Sequence, residues 1–332
     1  MTRDSSFSAP KRLFLQYGIA LTAASALPAI HAAQPDEILP RGPVRLIVPY
    51  TPGTTPDQMA RLIGPKMSAY LNRAIVVENK AGASGLIGTE LLSKAEPDGK
   101  TIMLTGSTFA ALPLAYPNNQ IDILDGFTLI AQVSVTNYAL AIHPSVPADN
   151  LREFIAYVKA NPRQIDYASP GSGTGHHLWM EQIANLEGLE INHIPYKGSA
   201  GAVNDIVAGH VQAGFMPVQV AEPFQRNGRL KTLATLYKDP DLPTIVEAGV
   251  PQFRTSTFNA LIGPKGMPPN VVSLYQQTIT KLLQDEEIKA GFLKLGSPPL
   301  QGNTEALRTM IQEQFELLND LSARGVINLR VH

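Results

Sequence analysis

The sequence predicts an α/β fold in which two lobes share one continuous chain. Three observations carry that reading. Short, near-continuously apolar runs alternate with helix-period patterns beyond residue 34, as expected for strands buried on both faces of parallel sheets. No linker divides the chain, although 332 residues suit two domains better than one. Hydrophobic residues make up 44% and charged residues 17%, enough apolar matter for real cores and too much for long disorder.

The elements follow in order. Residues 1–33 read as an export signal rather than part of the fold. Arg3, Lys11 and Arg12 give a basic start, and Tyr17–Ile30 is an alanine-rich apolar stretch of about 14 residues. Ala32 or Ala33 is the expected last residue before cleavage. A membrane-spanning helix needs about 20 residues, so this stretch is too short. Lys11–Gln16 is similar to a twin-arginine (Tat) signal with lysine in the first arginine position, and a Sec signal fits the same residues. The expected location is the periplasm after cleavage.

Strands are expected at Val44–Pro49, Ala74–Val77, Thr101–Thr105, Tyr138–Ile142, Ile165–Ala168, Ile191–Pro195, Ala213–Met216 and Leu230–Thr235. The helix at Asp57–Leu71 puts Met59, Leu62, Ile63, Met67, Tyr70 and Leu71 on one broad face. Thr55 is its expected N-cap, with Pro56 at the first position and Gln58 completing a capping box. Further helices are expected at Leu151–Ala160, Pro269–Gln284 and Thr304–Arg324. Gln132–Asn137 and Arg254–Phe258, polar and extended, are the expected crossings between lobes. They divide the chain into lobe 1 (34–135 and 257–332) and lobe 2 (136–256).

Composition narrows the function. With 27 basic and 28 acidic residues, no global field exists to hold nucleic acid or an anionic membrane. Cysteine is absent, which excludes thiolate catalysis, disulfides and cysteine metal sites. No dinucleotide, P-loop, nucleophile-elbow or H-E-x-x-H motif occurs. No catalytic residue, metal or cofactor is therefore expected. His176, His177 and Glu181 raise a metal question, but two or three ligands without a partner run read better as a histidine at a helix N-terminus. Trp179 is the only tryptophan, and core packing and cleft lining are equally open to it.

The chemistry concentrates in five loops at the carboxyl ends of strands, where open α/β sheets bind ligands. They are Pro49–Asp57, Asn79–Gly88, Thr105–Ala110, Ser169–His177 and Pro195–Ala200, all rich in Gly, Ser or Thr. Glycine lets backbone approach a ligand, hydroxyls add neutral hydrogen bonds, and a helix N-terminus adds free N–H groups. Together they form an anion site without Arg or Lys.

These blocks carry a resemblance. "VRLIVPYTPGTTPDQMARLI", "VVENKAGASGLIGTELLSKAEPDGKTIML", "IDYASPGSGTGHHL", "HIPYKGSAGAVNDIVAGHV" and "LPTIVEAGVPQF" occur in the order and spacing of one family. From about Pro43 to Val326 the chain resembles the substrate-binding proteins of tripartite tricarboxylate transporters, the Bug or TctC family. The resemblance implies a type II-like venus-flytrap periplasmic binding protein, each lobe a mixed, mostly parallel sheet flanked by helices. It implies a monomeric receptor, not an enzyme, that delivers a carboxylate to a membrane permease. By position it carries ligand contact to Thr51, Gly53, Thr54, Thr55, Ala83, Ser84, Gly85, Ser107 and Thr108 in lobe 1. In lobe 2 it carries contact to Ser169, Gly173, Thr174, His177, Lys197, Gly198 and Ser199. Where the family often has Asp-Asn, this chain has Met216-Pro217. Met216 cannot pair with an ammonium, and its thioether suits an aromatic face. With Trp179, Phe215 and Phe109, it points to an aromatic dicarboxylate such as terephthalate or phthalate. An aliphatic di- or tricarboxylate such as citrate is the alternative, and a periplasmic α/β hydrolase a more distant one.

Overall fold

The computed structural model describes residues 38–327, so the expected signal at residues 1–33 lies outside the described residues. The strands are β1 (Val44–Val48), β2 (Ile75–Asn79), β3 (Thr101–Gly106), β4 (Phe127–Ser134), β5 (Tyr138–Ile142), β6 (Asp166–Ser169), β7 (Asn192–Pro195), β8 (Ala213–Pro217), β9 (Lys231–Thr235), β10 (Asn259–Pro264) and β11 (Pro299–Gly302). The helices are α1 (Thr55–Leu71), α2 (Leu86–Ser93), α3 (Thr108–Ala115), α4 (Leu151–Ala160), α5 (Gly175–Glu187), α6 (Ser199–Ala208), α7 (Val218–Arg226), α8 (Pro269–Gln284), α9 (Glu286–Lys294) and α10 (Thr304–Ala323).

Two mixed sheets result, ordered β11-β4-β10-β3-β1-β2 and β7-β6-β8-β5-β9. In the first, β1 pairs in parallel with β2 and β3, while β10 runs antiparallel between β3 and β4. In the second, β6 pairs in parallel with β7 and β8, and β5 runs antiparallel to β8 and β9. The chain leaves the first sheet at the end of β4 and returns to it at β10. The two passages run over residues 135–137 and 236–258. They are laced together side by side: Thr257 Oγ1 donates to Thr136 O (2.9 Å), and Asn259 Nδ2 donates to Thr136 Oγ1 (3.0 Å) and Ser134 Oγ (2.9 Å).

Side-chain alternation sorts each sheet into two cores. On β1, Leu46 and Val48 face the layer of Ile63, Met67, Tyr275 and Leu282, whereas Ile47 faces Phe109, Phe258 and Leu307. On β8, Phe215 packs with Tyr167, Trp179 and Ile183, whereas Met216 packs with Ala141, Ala168, Ile206 and Ala221. Helix α1 buries Met59, Ile63, Met67 and Leu71 at four-residue spacing, but of the face expected from sequence Leu62 is only half-buried and Tyr70 is exposed.

One local expectation changes. The N-cap of α1 is Thr54, not Thr55, and no side-chain capping bond forms there. Gln58 instead donates from Nε2 to Gly53 O at 2.8 Å.

Candidate ligand-binding site

Five helices, α1, α3, α5, α6 and α7, begin at one cavity of about 250 Å³ between the two sheets. Its wall includes Thr54 and Thr55 of α1, Ser107 and Thr108 of α3, Thr174 to His176 of α5, Ser199 of α6 and Gln219 of α7. Tyr138, Trp179 and Phe258 add aromatic surface, and Thr136, Thr257 and Asn259 of the crossing strands line it too. Among the described residues no Lys, Arg, Asp or Glu belongs to the lining.

The first turn of a helix leaves N–H groups without intrahelical partners. Side chains answer them at three other helices, where Asn150, Asp285 and Asn303 cap α4, α9 and α10, but not at α2 or α8. None of the five helices at the cavity has such a cap. Apart from the first N–H of α7, which donates to Asn137 O at 3.2 Å, their donors lack side-chain caps, and their positive dipole ends face the cavity where an anion would sit.

Two of these starts share one construction. On α1, Gly53 has φ 85° and precedes the N-cap Thr54, whose Oγ1 donates back to Thr51 O at 3.0 Å. Gly53 N–H donates to the Asp57 carboxylate at 2.8 Å. On α5, Gly173 has φ 77° and precedes the N-cap Thr174, whose Oγ1 donates back to Gly171 O at 2.7 Å. Gly173 N–H donates to His177 Nδ1 at 3.2 Å. Each lobe thus presents a Gly-Thr turn braced from below by the residue four positions after the glycine. An L side chain strongly disfavours the positive φ that both glycines adopt.

The braces differ in charge. Burial pushes the Asp57 carboxyl up, but hydrogen bonds from Arg61, Gly53 and Asn79 outweigh it and hold the group below the usual carboxylate range. His177 is buried against His193, ring centroids 4.2 Å apart, and burial pushes its pKa down to about 4. Both braces therefore keep their acceptors at neutral pH.

Of the residues singled out from sequence, Gly53, Thr54, Thr55, Ser107, Thr108, Thr174 and Ser199 line the cavity. Others stand behind or beside it. Gly173 and His177 form the brace. Ser169 is fully buried, donates to Gly171 O (3.0 Å) and accepts from Gly171 N–H (3.1 Å). Its Oγ also lies 2.7 Å from His193 Nε2. With the hydroxyl proton given to Gly171 O, that imidazole is a donor, not a base. Ala83, Ser84 and Gly85 do not line the cavity; Ser84 links the lobes, its Oγ donating to Ser172 O at 2.6 Å. Ala83 and Ser84 adopt left-handed φ values of 47° and 54°, costing about 1–2 kcal/mol each. Thr51 abuts Gly198, where a Cβ would fall 2.5 Å from Thr51 Oγ1. Lys197 is exposed outside the lining.

Met216 is the clear correction. It is fully buried in the core under α6 and α7 and does not reach the cavity. The strand pleat turns it to the face opposite Phe215. Phe109 is likewise core, edge-on to Phe127 at 5.4 Å, and Phe215 stands behind Trp179 at 5.3 Å. The aromatic surface at the cavity comes from Tyr50, Tyr138, His176, Trp179 and Phe258, and of the expected aromatic residues only Trp179 lines it. Among the described residues no group of three or more His, Asp or Glu is placed to hold a metal. Glu181 accepts from Tyr167 OH at 2.5 Å. The lining residues that sequence reasoning missed include Tyr50, Tyr138, Asn204 and Gln219. Tyr50, inside the loop Pro49–Asp57, and Tyr138, beside a crossing segment, had a positional cue; Asn204 and Gln219 had none.

A family model described as the tripartite tricarboxylate transporter family receptor, TctC, matches residues 59–323. The chain belongs to that family. This TctC receptor is 31% identical to Protein BugT of Bordetella pertussis over 315 residues, covering 92% of this chain and 94% of that protein. Its fold matches the solved periplasmic binding protein BugD with a TM-score of 0.81 at 29% identity, covering 88% of this chain and all of that one (100%). An R. palustris protein solved with adipate matches with a TM-score of 0.81 at 26% identity, covering 88% and 99% of the two chains. The TctC chain is therefore a periplasmic solute-binding receptor with the two-lobed binding-protein fold, and not an enzyme.

Proposed function

We propose that the receptor captures a small dicarboxylate between its lobes, an aromatic one such as terephthalate or phthalate best, and delivers it to a tripartite tricarboxylate transporter permease. The observation that carries this reading is the pair of matching Gly-Thr turns facing one uncharged cavity. A buried carboxylate is costly unless donors replace its water. One such turn on each lobe suits one carboxylate at each end of a ligand. Gly53, Thr54, Thr55, Ser107 and Thr108 serve one end, and Thr174 and Ser199 the other. The rings of Tyr138, His176 and Trp179, tilted to one another by 41–80°, give the cavity an aromatic lining that favours an aromatic centre. An amino acid is disfavoured because no lining carboxylate would meet its ammonium. A second reading, an aliphatic di- or tricarboxylate such as citrate, is favoured by the adipate-bound neighbour.

The lobes divide at 135/136 and 256/257, the receptor works as a monomer, and residues 1–33 are removed on export. Calorimetry with terephthalate, phthalate, adipate, citrate, succinate and glutamate tests the ligand class. The aromatic diacids should bind tightest. Tight glutamate binding with no heat from the diacids refutes the reading. N-terminal sequencing of exported protein should begin near Ala33 or Gln34.

A further inference from the structure

His176 holds a position that the Gly-Thr turns do not explain. It sits in the first turn of α5, and its ring lines the cavity. The ring meets Tyr138 edge-on at 4.9 Å and Trp179 at 5.5 Å. Its Nδ1 is sealed from solvent with no hydrogen-bond partner. Nε2, at the far end of the ring, is not among the sealed atoms, and no described protein group bonds it.

A neutral imidazole has one donor and one acceptor nitrogen. A proton on the sealed Nδ1 would be a buried donor with nothing to accept it, which costs more than an idle lone pair. Burial also keeps the ring neutral, pushing its pKa down to about 3. The proton therefore belongs on Nε2. We infer that His176 is a specificity-determining residue, donating from Nε2 to a carboxylate oxygen of the ligand in the second lobe. This rests on the dicarboxylate reading and deepens it. His176 becomes a neutral, directional side-chain donor set among aromatic rings, selecting for a ligand with a carboxylate acceptor in the second lobe.

Glutamine places an amide N–H near the position of histidine Nε2, and asparagine near that of Nδ1. The test is quenching of Trp179, the chain's only tryptophan, by terephthalate and by adipate in full-length processed protein. His176→Asn and His176→Phe should bind about ten- to hundredfold more weakly, the worth of one hydrogen bond to a charged acceptor. His176→Gln should stay within about threefold of wild type. Nitrogen-15 NMR of the ligand-free protein, assigned with His176→Gln, should show the proton on Nε2 at pH 7. A proton on Nδ1, or equal loss or equal retention in the Gln and Asn variants, overturns the inference while leaving the carboxylate receptor standing. If neither probe binds wild type, the carboxylate reading fails and the inference falls with it.

Discussion

Replacing Asp57 with alanine removes the brace beneath the first Gly-Thr turn. The Asp57 side chain is 3% exposed and accepts from Gly53 N–H at 2.8 Å, Asn79 Nδ2 at 2.9 Å and Arg61 Nε at 3.0 Å. Hydrogen bonds to a charged group are worth about 1.5–3 kcal/mol each, so the Gly53 and Asn79 bonds together imply a loss of at least about 3 kcal/mol. Arg61 is 55% exposed, so its ion pair adds at most about 1 kcal/mol. For a chain of this size the melting temperature should fall by roughly 5–10 °C. Binding should weaken as well, because Gly53 is no longer fixed and the N–H groups of α1 lose their aim. The carboxyl is held below its ordinary pKa, so its stabilisation is full above about pH 4 and is lost as pH falls through the folded value. Asp57→Ala should therefore lose most at neutral pH, and the gap to wild type should narrow in acid. Urea denaturation at pH 7 and about pH 3, with calorimetry at pH 7, measures the stability loss, its pH dependence and the weaker binding. A variant within about 0.5 kcal/mol of wild type, the range of an ordinary surface substitution, with unchanged affinity, would refute the bracing role.

Three further predictions concern other parts of the site. His176 and His177 have folded pKa values near 3 and 4, below the unfolded value of about 6.5. The unfolded chain thus binds more protons in that window, and stability should fall as pH drops from about 6.5, by up to about 1.4 kcal/mol per unit per histidine. Equal urea midpoints at pH 7 and pH 5 would contradict this. Gly175→Ala would place a Cβ 2.8 Å from the Trp179 indole, so the ring must move. Its emission should shift and diacid affinity should drop at least severalfold; an unchanged spectrum would count against the packing. Met216→Ala should cost about 2–5 kcal/mol through a core cavity while leaving ligand affinity in the native state unchanged. A selective loss of affinity at wild-type stability would return Met216 to the ligand.

The sequence by itself determined the alternation of strands and helices, because strands covered on both faces must be apolar throughout. It also located the Gly-, Ser- and Thr-rich turns, because few other residues combine positive φ with short hydrogen-bonding side chains. Strands β4, β10 and β11 were not legible. Thr128 and Gln132 interrupt β4, while Gly263 with Pro264 and Gly302 make the ends of β10 and β11 read as loop. Only the tertiary structure decided which turn residues reach the cavity and which brace from behind. His176 and His177 are adjacent in sequence, yet a step of about 100° around α5 sends one to the cavity and the other beneath Gly173. Phe215 and Met216 are separated in the same way by the strand pleat, whose two faces are equally apolar here. When both faces of an element are buried, composition carries no sign of direction, and packing against the neighbouring layers supplies it.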